Sequence, residues 1–247
     1  MCKGVLLVVS RIGEIYNEND ISEHERIITE NNINDNMSND IIRVAMLPKG
    51  DLFSTERNDW ECSVVDELHH PNWFLEDYEK LIKKCYNKLW LIIFNWSIYC
   101  RIDIDLNLRD TELKSLGDLR LVSGNLNLEN TKIISLGKLE HVNGSLNLRK
   151  TSIVSLGNLK SVNDNLNLQD SSITSLGKLT RVGGNLDLEN TNIKSLENLE
   201  YVGEDLNLCN VELQSLGNLK SVGWNVYTNG KQATMDLRNL ERRANLK

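Results

Sequence analysis

From Leu106 to Asn225 one pattern of apolar and polar positions recurs every 20 residues, six times, with no insertion. Written from Leu106, the unit is L-N-L-x-x-T-x-I-x-S-L-G-x-L-x-x-V-x-G-N. Six columns are apolar in every copy, headed by Leu106, Leu108, Leu113, Leu116, Leu119 and Val122. A fixed period predicts a solenoid in which each coil stacks on the one before. The L-N-L core alternates as a strand does, with both leucines inward and the asparagine outward. The other apolar columns are split by short polar spacings that leave no room for a useful helix. The pattern therefore predicts one strand per coil and one parallel sheet, with turns or 3₁₀ segments completing each coil. Strands about 4.8 Å apart make the array a rod on the order of 30 Å long. A lone coil buries too little to offset the ordering of its backbone, so stability belongs to the stack.

The uniform polar columns read as scaffold. Asn107, Asn127, Asn147, Asn167 and Asn207, with Asp187 as the exception, form an outward ladder whose amides are expected to bond to each other. The serines headed by Ser115 sit between inward positions, where a hydroxyl can satisfy turn backbone groups. Thr111, Thr131, Thr151, Ser171 and Thr191 are expected to do the same after the strand, and Val211 breaks that column. Gly117, Gly137, Gly157, Gly177 and Gly217 predict a turn of positive φ, with Glu197 the lone departure.

One outward column varies: Arg109, Glu129, Arg149, Gln169, Glu189 and Cys209, beside Asp110, Asn130, Lys150, Asp170, Asn190 and Asn210. A rigid strand face carrying unrelated side chains is how repeat proteins present a binding surface. The candidate protein-binding face is Asn107, Arg109, Asn127, Glu129, Asn147, Arg149, Asn167, Gln169, Asp187 and Glu189. The competing reading is a solvated face that binds nothing.

Val182-Gly183-Gly184-Asn185-Leu186-Asp187-Leu188, followed by Ile193, Leu196 and Leu199, resembles leucine-rich repeats, and more closely those of receptor L-domains. Thr191 and its equivalents stand where ordinary leucine-rich repeats carry a ladder asparagine, which favours the L-domain-like variety. The resemblance covers residues 102–225. It implies a right-handed, mainly β solenoid and, for function, a protein-binding surface without common chemistry.

Three regions follow: a small α+β domain over 1–101 ending in a capping helix, the solenoid over 102–225, and a C-terminal cap over 226–247. Val5 to Val9, Ile41 to Leu47 and Trp60 to Val65 read as strands, the second stopping at Pro48 before the Lys49-Gly50-Asp51 turn. Ile21 to Glu30 has weak helical spacing, and Asn31 to Asp40 reads as a polar linker. Pro71-Asn72 opens a helix with the stripe Phe74, Tyr78, Leu81, Ile82, Cys85 and Leu89, acidic early and basic later. This helix and Trp90 to Phe94 are expected to cover the first coil. Val226-Tyr227 starts a seventh strand before Asn229-Gly230 turns the chain. Asp236 to Leu246 reads as a short helix, and Trp224 is expected to help shut the last coil. Arg43 to Pro48, Asp51, Trp60 and Pro71 to Phe74 loosely resemble a module preceding such repeats in some phage, prophage and large-virus proteins. That resemblance suggests a viral or mobile-element origin.

Composition narrows the partners. A net charge of −7 and a pI near 5.2 argue against a nucleic-acid footprint. Five cysteines with no C-x-x-C pair favour a reducing, cytoplasmic setting over a disulfide framework, unlike secreted receptor L-domains. The apolar run at Leu89 to Tyr99 is about half a membrane span, so no membrane role is expected. His69 and His70, after Asp66 and Glu67, are the one local group of metal-ligand types, and adjacent histidines point apart. No phosphate loop, G-x-S-x-G or H-E-x-x-H occurs. No catalytic residue, metal or cofactor is expected. The leading expectation is a non-enzymatic module holding a protein partner, viral or host-directed, on the strand face. The alternatives are a metal-dependent enzyme in 1–101 targeted by the repeats, and a structural protein that self-assembles.

Overall fold

The computed structural model describes residues 5–10, 14–16, 27–28, 41–53, 57–64, 78–99, 101–102, 105–228 and 231–233. Strand β1 (Val5–Ser10) pairs antiparallel with β2 (Ile15–Tyr16) and β3 (Ile41–Pro48), and β3 pairs with β4 (Trp60–Val64). Pro48 is the last residue of β3, where its missing N–H does least harm to the ladder. Helix α1 (Tyr78–Tyr99) packs on β1, β2 and β5 (Arg101–Ile102), burying Leu81, Ile82, Cys85, Tyr86, Leu89 and Ile93. It takes in the Trp90 to Phe94 run as helix. Tyr78, assigned to the buried stripe, is exposed. No helix of the described residues is long and apolar enough to cross a membrane. Of the Ile21 to Glu30 segment, Ile27 and Ile28 are described; they are helical and buried. The 31–40 linker, the helix start at 71–77 and the helix expected over 236–246 lie outside the described residues.

The solenoid is a parallel β stack of 20-residue coils, and it has two parallel sheets where one was expected. The leucine sheet runs through Leu106–Asn107, Leu126–Asn127, Leu146–Asn147, Leu166–Asn167, Leu186–Asp187 and Leu206–Asn207. It continues into Val226–Thr228, the seventh strand expected, and ends on antiparallel Lys231–Ala233, a strand that the sequence pattern does not announce. The valine sheet starts at β5 and continues through Leu121–Val122, His141–Val142, Ser161–Val162, Arg181–Val182, Tyr201–Val202 and Ser221–Val222. The reason is backbone satisfaction. Coils stacked in register bring every extended stretch against its copy, so the dipeptide ending in the buried valine pairs as the leucine dipeptide does.

The apolar columns all point inward: Leu128, Leu148, Leu168 and Ile133, Ile153, Ile173 have no solvent exposure. One cluster of buried side chains runs from β1 and β3 through α1 into the coils. At the N-terminal end a second device joins the helix. The Lys114 amide donates to the Gly50 carbonyl (2.9 Å), the Leu52 amide donates to the Ser115 carbonyl (3.2 Å), and Asp51 bridges Ser115 in parallel. Residues 50–52 thus act as one edge of a coil zero. At the other end Val211, Leu213, Leu219 and Val222 are only partly buried, and Trp224 is 65% exposed. Trp224 does not shut the last coil.

Candidate binding face and its neighbours

The strand face is built by a local turn that repeats in every coil. The side-chain oxygen of each ladder residue accepts the amide two residues on: Asn127 from Glu129 (3.1 Å), Asn147 from Arg149 (3.0 Å), Asn167 from Gln169 (2.9 Å). Asn107 and Asn207 do the same for Arg109 and Cys209. These amides were expected to bond to each other; their oxygens instead fold the chain back locally. The role needs an acceptor only, so Asp187 fills it equally well, accepting the Glu189 amide at 2.9 Å. Burial raises the Asp187 carboxyl above its ordinary pKa, and the charges of Glu189 and Asp170 add to the effect.

Beyond each variable side chain the backbone turns left-handed. Asp110, Asn130, Lys150, Asp170, Asn190 and Asn210 all have φ between 55° and 59°. Among residues with a side chain Asn and Asp tolerate this region best, so their prevalence in the column answers to backbone conformation rather than to surface variety. Several also join coil to coil. Asn130 Nδ2 donates to Asp110 Oδ1, Asn190 Nδ2 to Asp170 Oδ1, and Asn210 Nδ2 to Asn190 Oδ1, each at 2.8 Å.

The candidate side chains do line up, since their ladder residues pair in register from Asn107 to Asn207. Arg109 is exposed, while Glu129, Arg149, Gln169 and Glu189 are half-buried by one another. Arg149 is the hub. Its guanidinium donates to Gln169 Oε1 (3.1 Å), Glu129 Oε1 (3.3 Å) and Asp170 Oδ2 (3.2 Å). Arg109 pairs with Asp110 (3.2 Å), and Asn207 Nδ2 donates to Glu189 Oε2 (3.2 Å). The charges that looked free to a partner are largely matched within the face, which makes it rigid and preorganised.

The other faces follow the same column logic. Glu140 sits between Arg120 (2.9 Å) and Lys160, and the lysine holds its carboxyl below the ordinary range. On the valine sheet His141 Nδ1 lies 2.8 Å from Ser161 Oγ, and the Arg181 guanidinium stacks 4.4 Å from the Tyr201 ring centre. The scaffold hydroxyls act as expected. Thr111, Thr131, Thr151, Ser171 and Thr191 are buried and each donates to the carbonyl three residues back at 2.6–2.8 Å. Each serine of the Ser115 column accepts the amide two residues on, Gly117 through Glu197 to Gly217.

Asp66, Glu67, His69 and His70 lie outside the described residues. Among those described, no group of three His, Cys, Asp or Glu side chains converges as metal ligands would. Burial pushes the Cys85 thiol up to about 12 and the Cys62 thiol up to about 11, so both are protonated packing groups at neutral pH. Comparison with protein families, curated proteins and solved structures finds no match to this chain.

Proposed function

We propose that the solenoid is a non-enzymatic module that binds a protein partner on the leucine-sheet face, around Arg109, Glu129, Arg149, Gln169 and Glu189. The observation carrying this reading is the in-register row of unlike, half-buried polar side chains anchored by the Arg149 hub. Such a row meets a partner with its rotamers already restricted, so association loses little side-chain entropy there. On this reading the array is a leucine-rich-repeat variety of the receptor L-domain-like kind, working in a cytoplasmic, viral or host-directed setting.

The test uses the full chain as bait, with a second bait carrying Arg109→Glu and Glu189→Lys. These two positions are preferred because Arg149 holds three neighbours and its reversal would disturb the face itself. The expected result is a protein retained by the first bait and lost by the second, with both giving the same circular dichroism. Capture that is indifferent to the double change removes the face from the proposal.

A further inference from the structure

The coils do not stack evenly on all sides. Along the edge marked by the serine column, main-chain bridges join Ser115 to Ser135, Ser155 to Ser175 and Ser195 to Ser215. Within these pairs the corner is closed: Lys138 donates to the Gly117 carbonyl, Lys178 to Gly157 and Asn218 to Glu197, at 2.8–3.1 Å. Between Gly137 and Gly157, and again between Gly177 and Glu197, no main-chain bond spans the corner. There the asparagine side chain reaches across instead, Asn158 Nδ2 to the Gly137 carbonyl (3.5 Å) and Asn198 Nδ2 to the Gly177 carbonyl (2.7 Å).

The second of these gaps contains a carboxylate. Glu197 Oε2 accepts the Gly177 amide (2.8 Å) and the Ser175 hydroxyl (3.0 Å). This explains the break in the glycine column. A side chain at 197 has room because the gap is open before it, whereas a Cβ on Gly137 or Gly217 would overlap a carbonyl of the preceding coil. The first gap repeats the frame with glycine in the glutamate's place. A Cβ built on Gly157 meets nothing within 4 Å. The same donors face it: the Gly137 amide, bonded to Ser135 Oγ as Gly177 is to Ser175 Oγ, and the Ser135 hydroxyl itself, which is solvent-exposed. Ile134 and Val154, just before the serines on either side, are 65% and 53% exposed, two of the four exposed large apolar residues among those described. Across the second gap the corresponding residues are Thr174 and Lys194.

We propose that the gap between the second and third coils binds a glutamate side chain of a partner polypeptide. Ser135 Oγ and the Gly137 amide are its donors, and Ile134 and Val154 contact apolar residues flanking that glutamate. The protein's own Glu197 supplies the template: a carboxylate on a two-carbon stem, arriving from a backbone that lies along the edge. Two hydrogen bonds, one to an amide already shared with serine, make a weak contact alone; the apolar rim adds to it. The site lies on a different edge from the leucine-sheet face and is independent of the function proposed for that face.

The experiment is amide NMR of the full chain titrated with the capped peptide acetyl-Leu-Glu-Leu-amide, its Gln counterpart, and acetate. The expected result is a saturable shift of the Ser135 and Gly137 amides with a Kd of roughly 0.1–10 mM, and at least about tenfold weaker binding of the Gln peptide. Gly157→Glu is expected to abolish the response by placing the chain's own carboxylate in the gap, as at 197, while Ser135→Ala weakens it by removing one of the two donors, along with the acceptor that holds the Gly137 amide. Arg109→Glu with Glu189→Lys leaves it unchanged. No shift at Gly137, equal binding of the Gln peptide, or a Ser135→Ala variant that binds as wild type overturns the proposal. Acetate binding as tightly as the peptide marks an adventitious anion site and overturns it too. So does tighter binding of an uncapped Leu-Gln-Leu acid, which would make a chain terminus the ligand.

Discussion

The Glu197 carboxylate accepts the Gly177 amide at 2.8 Å across a corner where the main chains of two coils do not meet. Glu197 holds φ at 48°, in a region that costs a side-chain-bearing residue roughly 1–2 kcal/mol. The bonds to Gly177 and Ser175 offset that strain. Glu197→Ala keeps the strain and loses the bonds, so an expected destabilisation of about 2 kcal/mol follows. Glu197→Gly loses the bonds but also the strain, and about 1 kcal/mol is expected. Urea unfolding of the two variants measures both. Equal losses would mean that backbone strain plays no part.

The buried hydroxyl column gives a reciprocal pair. Thr151 is buried and its Oγ1 donates to the Leu148 carbonyl at 2.7 Å. Thr151→Val keeps the shape and removes the donor, with an expected cost of about 1 kcal/mol. In the last coil Val211 stands in that column and its amide reaches the Leu208 carbonyl at 3.2 Å. Val211→Thr supplies the missing donor and is expected to stabilise by roughly 0.5 kcal/mol, less because the site is only partly buried. A gain at 151 or a loss at 211 in thermal unfolding contradicts this account.

These two cases show what a repeating sequence displays and what it hides. The leucine, threonine and serine columns were legible because each residue meets the same local requirement in every coil. The valine sheet was missed because each of its strands carries one inward side chain, with no second apolar residue two positions on to display the alternation that L-N-L shows, and outward partners as unlike as His141, Arg181 and Tyr201. The ladder asparagines were placed correctly and given the wrong partners, since alternation says which way a side chain points and not which N–H it meets. The pairwise gaps left almost no trace, because coils on either side of a gap have nearly the same sequence. Glu197 was the one visible mark. The Arg149 hub was equally hidden: its partners Glu129 and Gln169 lie a full coil away on either side.

The corner before the leucine strands has no room for a side chain in the late coils. Ser123, Asn143 and Asn163 occupy a column that becomes Gly183, Gly203 and Gly223. A Cβ on Gly203 would overlap the carbonyl oxygen of Gly183, a backbone atom with no freedom to give way. Gly203→Ala is expected to cost roughly 1–3 kcal/mol through overpacking. Asn143→Ala, in the same column where the chain already carries a side chain, is expected to fall within about 0.5 kcal/mol of wild type. Thermal unfolding of the pair gives the comparison. Similar values for both would mean that the late coils relax apart, and the tight corner would lose its meaning.

Asp187 is the one ladder position where the acceptor carries a charge, and its environment disfavours that charge. Desolvation is the main cause; the neighbouring charges of Glu189 and Asp170 add to it, while bonds from the Glu189 amide and Asn207 partly offset it. A folded pKa above the unfolded value means that the folded chain binds the proton more tightly. The penalty for ionising Asp187 is therefore absent below its ordinary value of 3.8 and present in full above the raised one. Asp187→Asn keeps an oxygen for the Glu189 amide and removes the charge. At pH 7 it is expected to raise Tm by roughly 1–2 °C, a small gain because solvent screens a half-buried site. The gain should shrink as pH falls through the raised pKa and vanish below about 3.8, where both side chains are neutral. Melting curves of the two proteins between pH 7 and pH 3 read this directly. A difference that is constant with pH would assign the effect to packing, and a lower Tm for the Asn variant at neutral pH would mean that the carboxylate makes bonds the amide cannot replace.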